Sequence, residues 1–289
     1  MKQKKKYHSA AALRTALEER LNRASRISNQ DILRLRRQVA FDRLLARIFS
    51  GPESSKFVLK GGYAMELRLQ SARTTKDIDI SVDIRNRAIT GNQENLLKMV
   101  RQAAAIDLGD FFEYAIGESI LDLENAVYGG YRFPVDCRMA GRRFSNFNID
   151  IAAGDRWLES HELLSGQDWL AFAGISAPKI PAISTEQQFA EKIHSYTLPR
   201  ETENSRAKDL IDLILLIEKC KLDPDRLRDA VLKTFHRRKT HEIPNQLKNP
   251  PEAWIERYKK IAAECGISDD MYSAIRKVSE LYNPIITQK

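Results

Sequence analysis

Phe57-Val58-Leu59-Lys60-Gly61-Gly62-Tyr63-Ala64 leads, through a helix-like run ending near Leu69, into Arg73-Thr74-Thr75-Lys76-Asp77-Ile78-Asp79-Ile80-Ser81-Val82. The first three residues read as a short buried strand. Gly61-Gly62 breaks it, and Ala64 to Leu69 has helical texture. From Asp77 the chain alternates polar and apolar residues, the signature of a half-buried strand. Residues i and i+2 of a strand share a face. Asp77 and Asp79 therefore stand side by side, while Ile78 and Ile80 point the other way, into a core.

Two neighbouring carboxylates repel unless a cation sits between them. Mg²⁺ takes oxygen ligands and is commonly held by one or two carboxylates together with substrate phosphates. The pair therefore reads as a metal platform for phosphoryl or nucleotidyl transfer. Gly61-Gly62, between strand and helix, offers a phosphate backbone N–H groups and a helix N-terminus, and glycine lets the backbone come close. Alone, Asp-Ile-Asp suits a solvent-facing strand and Gly-Gly a tight turn. Strand, Gly-Gly, helix and then Asp-x-Asp fifteen residues on is a much rarer order.

A third carboxylate would serve as a further metal ligand or as a base. Asp150, in the alternating run Asn146-Phe147-Asn148-Ile149-Asp150-Ile151, is the favoured candidate, and Asp136, in Val135-Asp136-Cys137, the alternative. Arg73 and Lys76 precede the pair and are candidates for neutralising a triphosphate. Further on lie Glu191-Lys192-Ile193-His194 and Arg206-Ala207-Lys208-Asp209-Leu210-Ile211-Asp212. Asp209 and Asp212, three apart, share a helix face. Lys192 either pairs with one of them or clamps a phosphate. His194 and His236 have no partner at metal-ligand spacing.

Around this centre the chain divides into an N-terminal helical segment (1–50), a core (51–178) and an all-helical C-terminal domain (182–289). Two helices fill residues 9 to 49, with Ser28-Asn29 the expected cap of the second. Residues 91 to 105 look helical, and strand candidates follow at Phe111–Ile116, Arg132–Met139 and Phe147–Ala152. This is an α/β or α+β pattern with a small mixed sheet. Pro178-Lys179-Ile180-Pro181 marks a boundary. Ser184-Thr185-Glu186-Gln187 then reads as a helix N-cap, and Asp223-Pro224 begins another helix.

The 289 residues carry a net charge of +8, and the pI is about 9.3. That balance favours a polyanionic partner. Basic residues cluster at Lys4-Lys5-Lys6, Arg34-Leu35-Arg36-Arg37, Arg142-Arg143 and Arg237-Arg238-Lys239. The Lys-rich start reads as disordered. Cys137, Cys220 and Cys265 fit no zinc motif, and three thiols do not make a disulfide framework. No apolar stretch reaches membrane-spanning length, and no h-region follows the basic start, so a cytoplasmic protein without a membrane partner is expected.

Leu59-Lys60-Gly61-Gly62, Arg73 through Ile80, Glu191 through His194 and Arg206 through Asp212 together resemble the motifs of the AbiEii/AbiGii-type nucleotidyltransferase toxins. These belong to the DNA polymerase β-like nucleotidyltransferase superfamily and are similar to the MenT-type tRNA nucleotidyltransferase toxins. The resemblance runs from about residue 40 to about residue 220. It implies an α+β fold: a small mixed-sheet nucleotidyltransferase core with N-terminal helices and an all-helical C-terminal domain. It implies Asp77 and Asp79 as ligands of Mg²⁺ or Mn²⁺, to which the residue pattern adds Asp150, and an NTP substrate along Gly61, Gly62 and Tyr63, near which that pattern puts Arg73, Lys76 and Asp212. Lys192 and Asp209 would complete the catalytic set. The implied acceptor is the 3′ end of tRNA or another RNA, and the implied partner a cognate antitoxin. Acceptor hydroxyls on a protein or small molecule, or a non-catalytic nucleotide-binding role, are the alternatives. Tyr63 stands where many superfamily members have Ser, which keeps a hydroxyl but changes its reach.

Overall fold

A computed structural model of the chain describes residues 7–69, 72–83, 93–122, 129–154, 161–199 and 206–287. The Lys-rich start lies outside these residues. The described residues form two compact units. The first falls within Met1–Leu67, Thr74–Trp157 and His161–Ala182, the second within Arg68–Arg73 and Ile183–Lys289.

The first unit opens with helices α1 (Ala10–Ser28) and α2 (Ile32–Ile48). Ser9 caps α1 by accepting the Ala12 N–H. The Ser28-Asn29 break divides its work differently from the sequence expectation. Asn29 ends α1 in the left-handed region (φ 52°), and Asp31 caps α2 by accepting the Leu33 N–H. Asn tolerates that region better than most side chains, and Asp31 lies at the position where a carboxylate reaches the first free amides.

Strand β1 (Phe57–Lys60) passes directly into helix α3 (Gly61–Arg68). β2 (Asp77–Asp83), α4 (Gln93–Ala104), β3 (Phe112–Ile116) and β4 (Leu121–Asp122) follow. The long hairpin β5 (Gly130–Met139) and β6 (Arg142–Gly154) comes next, then β7 (Glu162–Ser165) and β8 (Lys179–Ala182). All pair into one mixed eight-stranded sheet in the order β3-β5-β6-β2-β1-β8-β7, with β4 also on β5. β2 is central, antiparallel to β1 and parallel to β6. The Pro-marked stretch 178–181, expected as a boundary only, is largely strand. Two prolines in so short a segment hide its period, and Pro181 brings no ladder donor.

Alternate rows of the sheet face opposite ways. Ile78, Ile149 and Phe133 form one row, and Ile80 and Ile151 lie in the next row on the same face; all are fully buried. This apolar face belongs to one core with Leu17, Val39, Phe41 and Leu44 of α1 and α2 and Val100 of α4. The intervening rows carry Asp77, Asn148 and Pro134, and Asp79, Asp150 and Arg132.

A buried ion cluster ties α2 to the edge strand. Asp110 is fully buried and accepts Arg43 Nε at 2.6 Å and the Arg47 guanidinium at 2.6 and 2.9 Å. Arg47 also donates to the Phe112 carbonyl at 2.8 Å. Burial alone would raise the Asp110 pKa, but the two guanidiniums outweigh it and hold the carboxyl below its ordinary value.

Among its described residues the second unit is free of strands. It comprises α5 (Thr185–Thr197), α6 (Ala207–Lys219), α7 (Pro224–Arg238), α8 (Ile255–Cys265) and α9 (Met271–Thr287). Ser184 caps α5 through the Gln187 N–H, and Asp223 caps α7 with Pro224 in the first turn, as their sequence signals predict. Leu213 and Leu216 of α6, Val231 of α7, Tyr258 of α8 and Val278 of α9 are fully buried.

Breaking a buried pair leaves an uncompensated charge at a cost of about 3–5 kcal/mol. Asp110→Ala strands two guanidiniums, so we expect a loss of that size in chemical denaturation. A loss under about 1 kcal/mol would show that water or another group satisfies Arg43 and Arg47.

Candidate functional site

The Asp77 and Asp79 carboxylates stand on the polar face of β2 because Ile78 and Ile80 are locked into the core. Along a strand the two positions are about 6.7 Å apart. Asp77 is about one-third exposed. Its Oδ1 accepts Asn148 Nδ2 at 3.0 Å, from the residue directly opposite on β6. Arg132 on β5 reaches Asp77 Oδ2 at 3.6 Å.

Asp79 lies between two strands, opposite Lys60 of β1 and Asp150 of β6. The glycine turn closes against it. Gly61 has φ +66°, and a Cβ there would fall on the Asp79 carboxylate. Two demands therefore select glycine: the left-handed backbone, and the need to leave Asp79 its place. The turn also opens α3, so its first N–H groups lack intrahelical partners.

The segment before the pair is held from α3. Buried Glu66 accepts the Thr75 N–H at 2.5 Å and Gln38 Nε2 at 2.7 Å. Lys76, exposed, follows directly.

Tyr63 turns away from the glycines. It is 1% exposed, and its hydroxyl donates to Asp42 Oδ1 at 2.7 Å, with the Gln38 carbonyl at 3.2 Å. Asp42 Oδ2 accepts the Gln167 N–H at 2.7 Å. Burial pushes the Asp42 carboxyl up to about 7 against these hydrogen bonds. The residue that resembles the superfamily's Ser position by sequence thus anchors α3 to α2 through its side chain.

Asp150 comes alongside Asp79, and both its oxygens are engaged by Arg132, at 2.7 and 2.6 Å. That bond to Asp150 is the chief reason the Arg132 pKa is raised further. Asp136 is remote from β2 in the ladder, opposite Asn146, and pairs with Arg138 at 2.7 Å and Arg143 at 2.8 Å.

The donor set at the pair is all oxygen, which suits Mg²⁺ or Mn²⁺. Among the described residues no three His, Cys, Asp or Glu side chains form a metal-holding group. Mg²⁺ rarely needs one, since one or two carboxylates plus substrate phosphates suffice. Asp77 and Asp79 fit that role; Asp150 is occupied by its guanidinium.

In the second unit Lys192 donates to Asp209 at 2.9 Å and lies 2.8 Å from Asp212. Both carboxylates are buried. Arg73 binds Asp212 through two bonds of 2.9 Å, and Arg206 reaches Asp209 at 3.1 Å. Burial would lower the Lys192 pKa, but Asp209 and Asp212 outweigh it and hold the ammonium firmly charged. Lys192 pairs with both acids, where the sequence suggested one.

A family profile described as nucleotidyl transferase AbiEii toxin, type IV toxin–antitoxin system, matches residues 43–280. The chain belongs to this family. No curated protein matches the sequence significantly. Among solved structures, the chain is similar to MenT4, a nucleotidyltransferase toxin from Mycobacterium tuberculosis H37Rv. The identity is 17%, with 93% of this chain and 98% of that chain covered and a TM-score of 0.56. It is also similar to JHP933 from Helicobacter pylori, at 16% identity, 87% and 91% coverage and a TM-score of 0.50. At such identities the likeness is one of fold. The AbiEii family membership carries the activity class, a nucleotidyltransferase toxin.

Sequence reading gave no role to Arg132 or Asn148, the two residues that fix Asp150 and Asp77. Their one visible signal was that both are polar members of alternating strands. Register alone shows which acids they meet.

Gly61→Ala adds a left-handed non-glycine residue, costing about 1–2 kcal/mol, and drives Asp79 aside. We expect nucleotidyl transfer to fall on the order of a hundredfold, as for a roughly 1 Å misplacement. Gly61→Asn relieves the backbone but not the overlap, so it should recover stability without activity. Recovered activity in Gly61→Asn would show that Asp79 moves aside freely.

Asp42 sets a pH dependence. Its folded pKa lies above the ordinary 3.8, so the folded state binds the extra proton and stability falls as pH rises from about 4 to about 7. Asp42→Asn should flatten that slope in denaturant titrations across this range. Parallel slopes for parent and variant would locate the titration elsewhere.

Proposed function

We propose that the chain transfers a nucleotidyl group from an NTP to the terminal 3′-hydroxyl of an RNA, tRNA first among candidates, in a reaction dependent on a divalent metal. The observation that carries this is the Asp77-Asp79 pair: held by a core-locked strand, oriented by Asn148, and pressed against a glycine turn. AbiEii family membership and the +8 charge of the chain support it. The same reading implies a cytoplasmic site of action and a cognate antitoxin that restrains it. Among the described residues no helix is long and apolar enough to cross a membrane.

The acceptor hydroxyl gives up its proton to solvent, and its oxygen attacks the α-phosphorus and forms the new O–P bond. The bond from that phosphorus to the bridging oxygen breaks, and pyrophosphate leaves. Mg²⁺ or Mn²⁺, when bound, supplies charge to the phosphate oxygens and acidifies the attacking hydroxyl. Asp77 and Asp79 would hold it. The backbone N–H groups of Gly61 and Gly62 receive the β- and γ-phosphates at the start of α3. Asp150 acts through Arg132, keeping the guanidinium within reach of Asp77. Lys192 and Asp209 keep the roles that the family resemblance gives them, with Arg73 and Asp212 maintaining their charge.

The test is labelling of an RNA pool with each radioactive NTP, in Mg²⁺ and then Mn²⁺, with EDTA as blank. Asp77→Ala and Asp79→Ala should each reduce labelling to the blank while melting near the parent temperature. Parent-level labelling by either variant would sink the assignment. Label that survives RNase and runs with protein would move the acceptor from RNA to a protein side chain.

A further inference from the structure

A cleft of about 750 Å³ opens beside Asp77, bordered by Lys76, Asn148, Asn146, Asp136 and Arg143, with Arg37 of α2. It reaches across the polar face of β2, β6 and β5 to Ala115 and Gly117 at β3. That is three inter-strand steps, roughly 14 Å. Its size lies within the range of sites that enclose small ligands, about 300–1,000 Å³.

Direction decides what it holds. The carboxylate pair has a different neighbour on each flank. Toward β1, Gly61 closes on Asp79. Toward β6, Asn148 binds Asp77 and the cleft begins. In phosphoryl transfer the attacking and leaving oxygens lie roughly in line, on opposite sides of the phosphorus. If the glycine turn receives the departing pyrophosphate, the attacking hydroxyl enters from the cleft.

Charge agrees. Arg37, half-buried, and Lys76, exposed, make no ion pair among the described residues. Arg143 shares the single carboxylate of Asp136 with Arg138, and the two guanidiniums are 65% and 50% exposed. Exposed pairs of this kind contribute little, so a phosphate can replace the carboxylate on Arg143. The side-chain amides of Asn146 and Asn148 add donors and acceptors suited to sugar hydroxyls and base edges.

We propose that this cleft binds the last nucleotides of the single-stranded RNA acceptor, with Arg37, Lys76 and Arg143 on its phosphates. The proposal rests on the RNA-acceptor reading above and adds where, and through which side chains, the acceptor is held. It separates the acceptor's phosphates, on the β6–β5–β3 flank, from those of the NTP at Gly61.

The experiment measures binding without turnover. The full chain is titrated into a fluorescent single-stranded RNA oligonucleotide at several salt concentrations, with no NTP. Mg-ATP, Mg-CTP, Mg-GTP and Mg-UTP binding is measured in parallel. Arg37→Ala/Arg143→Ala alters two side chains outside the core, and its melting temperature checks the fold. We expect oligonucleotide affinity to fall at least tenfold, and the slope of log K against log salt to shrink by about 0.7 for each phosphate no longer neutralised. Binding of the preferred NTP should stay within about twofold. An unchanged oligonucleotide affinity and slope would overturn the proposal. So would weakened NTP binding in place of weakened RNA binding, which would make the cleft part of the nucleotide site. A parent that binds RNA through these arginines but transfers nothing to it would sink the reaction while upholding the cleft as an RNA site. A parent that binds no RNA overturns the cleft, whatever the labelling shows.

Discussion

Burial of Ile78 and Ile80 on one face of β2 is the constraint on which the centre depends. Each fully buried side chain of this kind contributes about 1.5–3 kcal/mol. Sliding the strand by one residue would send both into water and bring two carboxylates into the core. Pairing on both sides, with β1 and β6, makes that slip still costlier. Two acids that repel each other are thus held together by apolar packing on the opposite face, not by any attraction of their own. The strand supplies a rigid base for both carboxylates.

The same strand sets its neighbours. Its register with β6 puts Asn148 opposite Asp77 and Asp150 opposite Asp79, and the β5 hairpin returns Arg132 to Asp150. Its register with β1 puts Lys60, and so the Gly61 turn, at Asp79. Helix α3 then starts beside Asp79. It is pinned from behind, by Tyr63 on Asp42 and by Glu66 on the Thr75 amide. Little in this arrangement is free to drift, because each polar contact spans two elements whose apolar faces share one core.

What could be read from the sequence was local. The alternation from Asp77 to Val82, the glycine break after Leu59 and the Ser184 and Asp223 caps all depend on residues within a few positions. They gave the strand, turn and helix starts correctly. Contacts between distant residues were not legible. Arg132 meets Asp150 only through the register of the β5–β6 hairpin, which shifts at Cys137/Arg138. Asp110 meets Arg43 and Arg47 across more than sixty residues. Tyr63 read as a phosphate neighbour through the family resemblance. In the helix it falls on the buried side, where the long ring reaches Asp42 and a serine hydroxyl would not. Residues 179–182 gave no strand signal because proline interrupts the alternation that would have shown it.

Charge balance separates the two clusters, each taken within its own unit. In the first, Arg132 binds Asp150 through two bonds and reaches Asp77. In the second, Lys192 meets both Asp209 and Asp212, with Arg73 on Asp212 and Arg206 on Asp209. Buried or half-buried charge costs stability unless a partner compensates it. Lys192 shows how such a charge is kept. One carboxylate would leave its ammonium neutralised, and none would let burial strip its proton. Two carboxylates hold the proton on, and Arg73 and Arg206 in turn compensate the carboxylates.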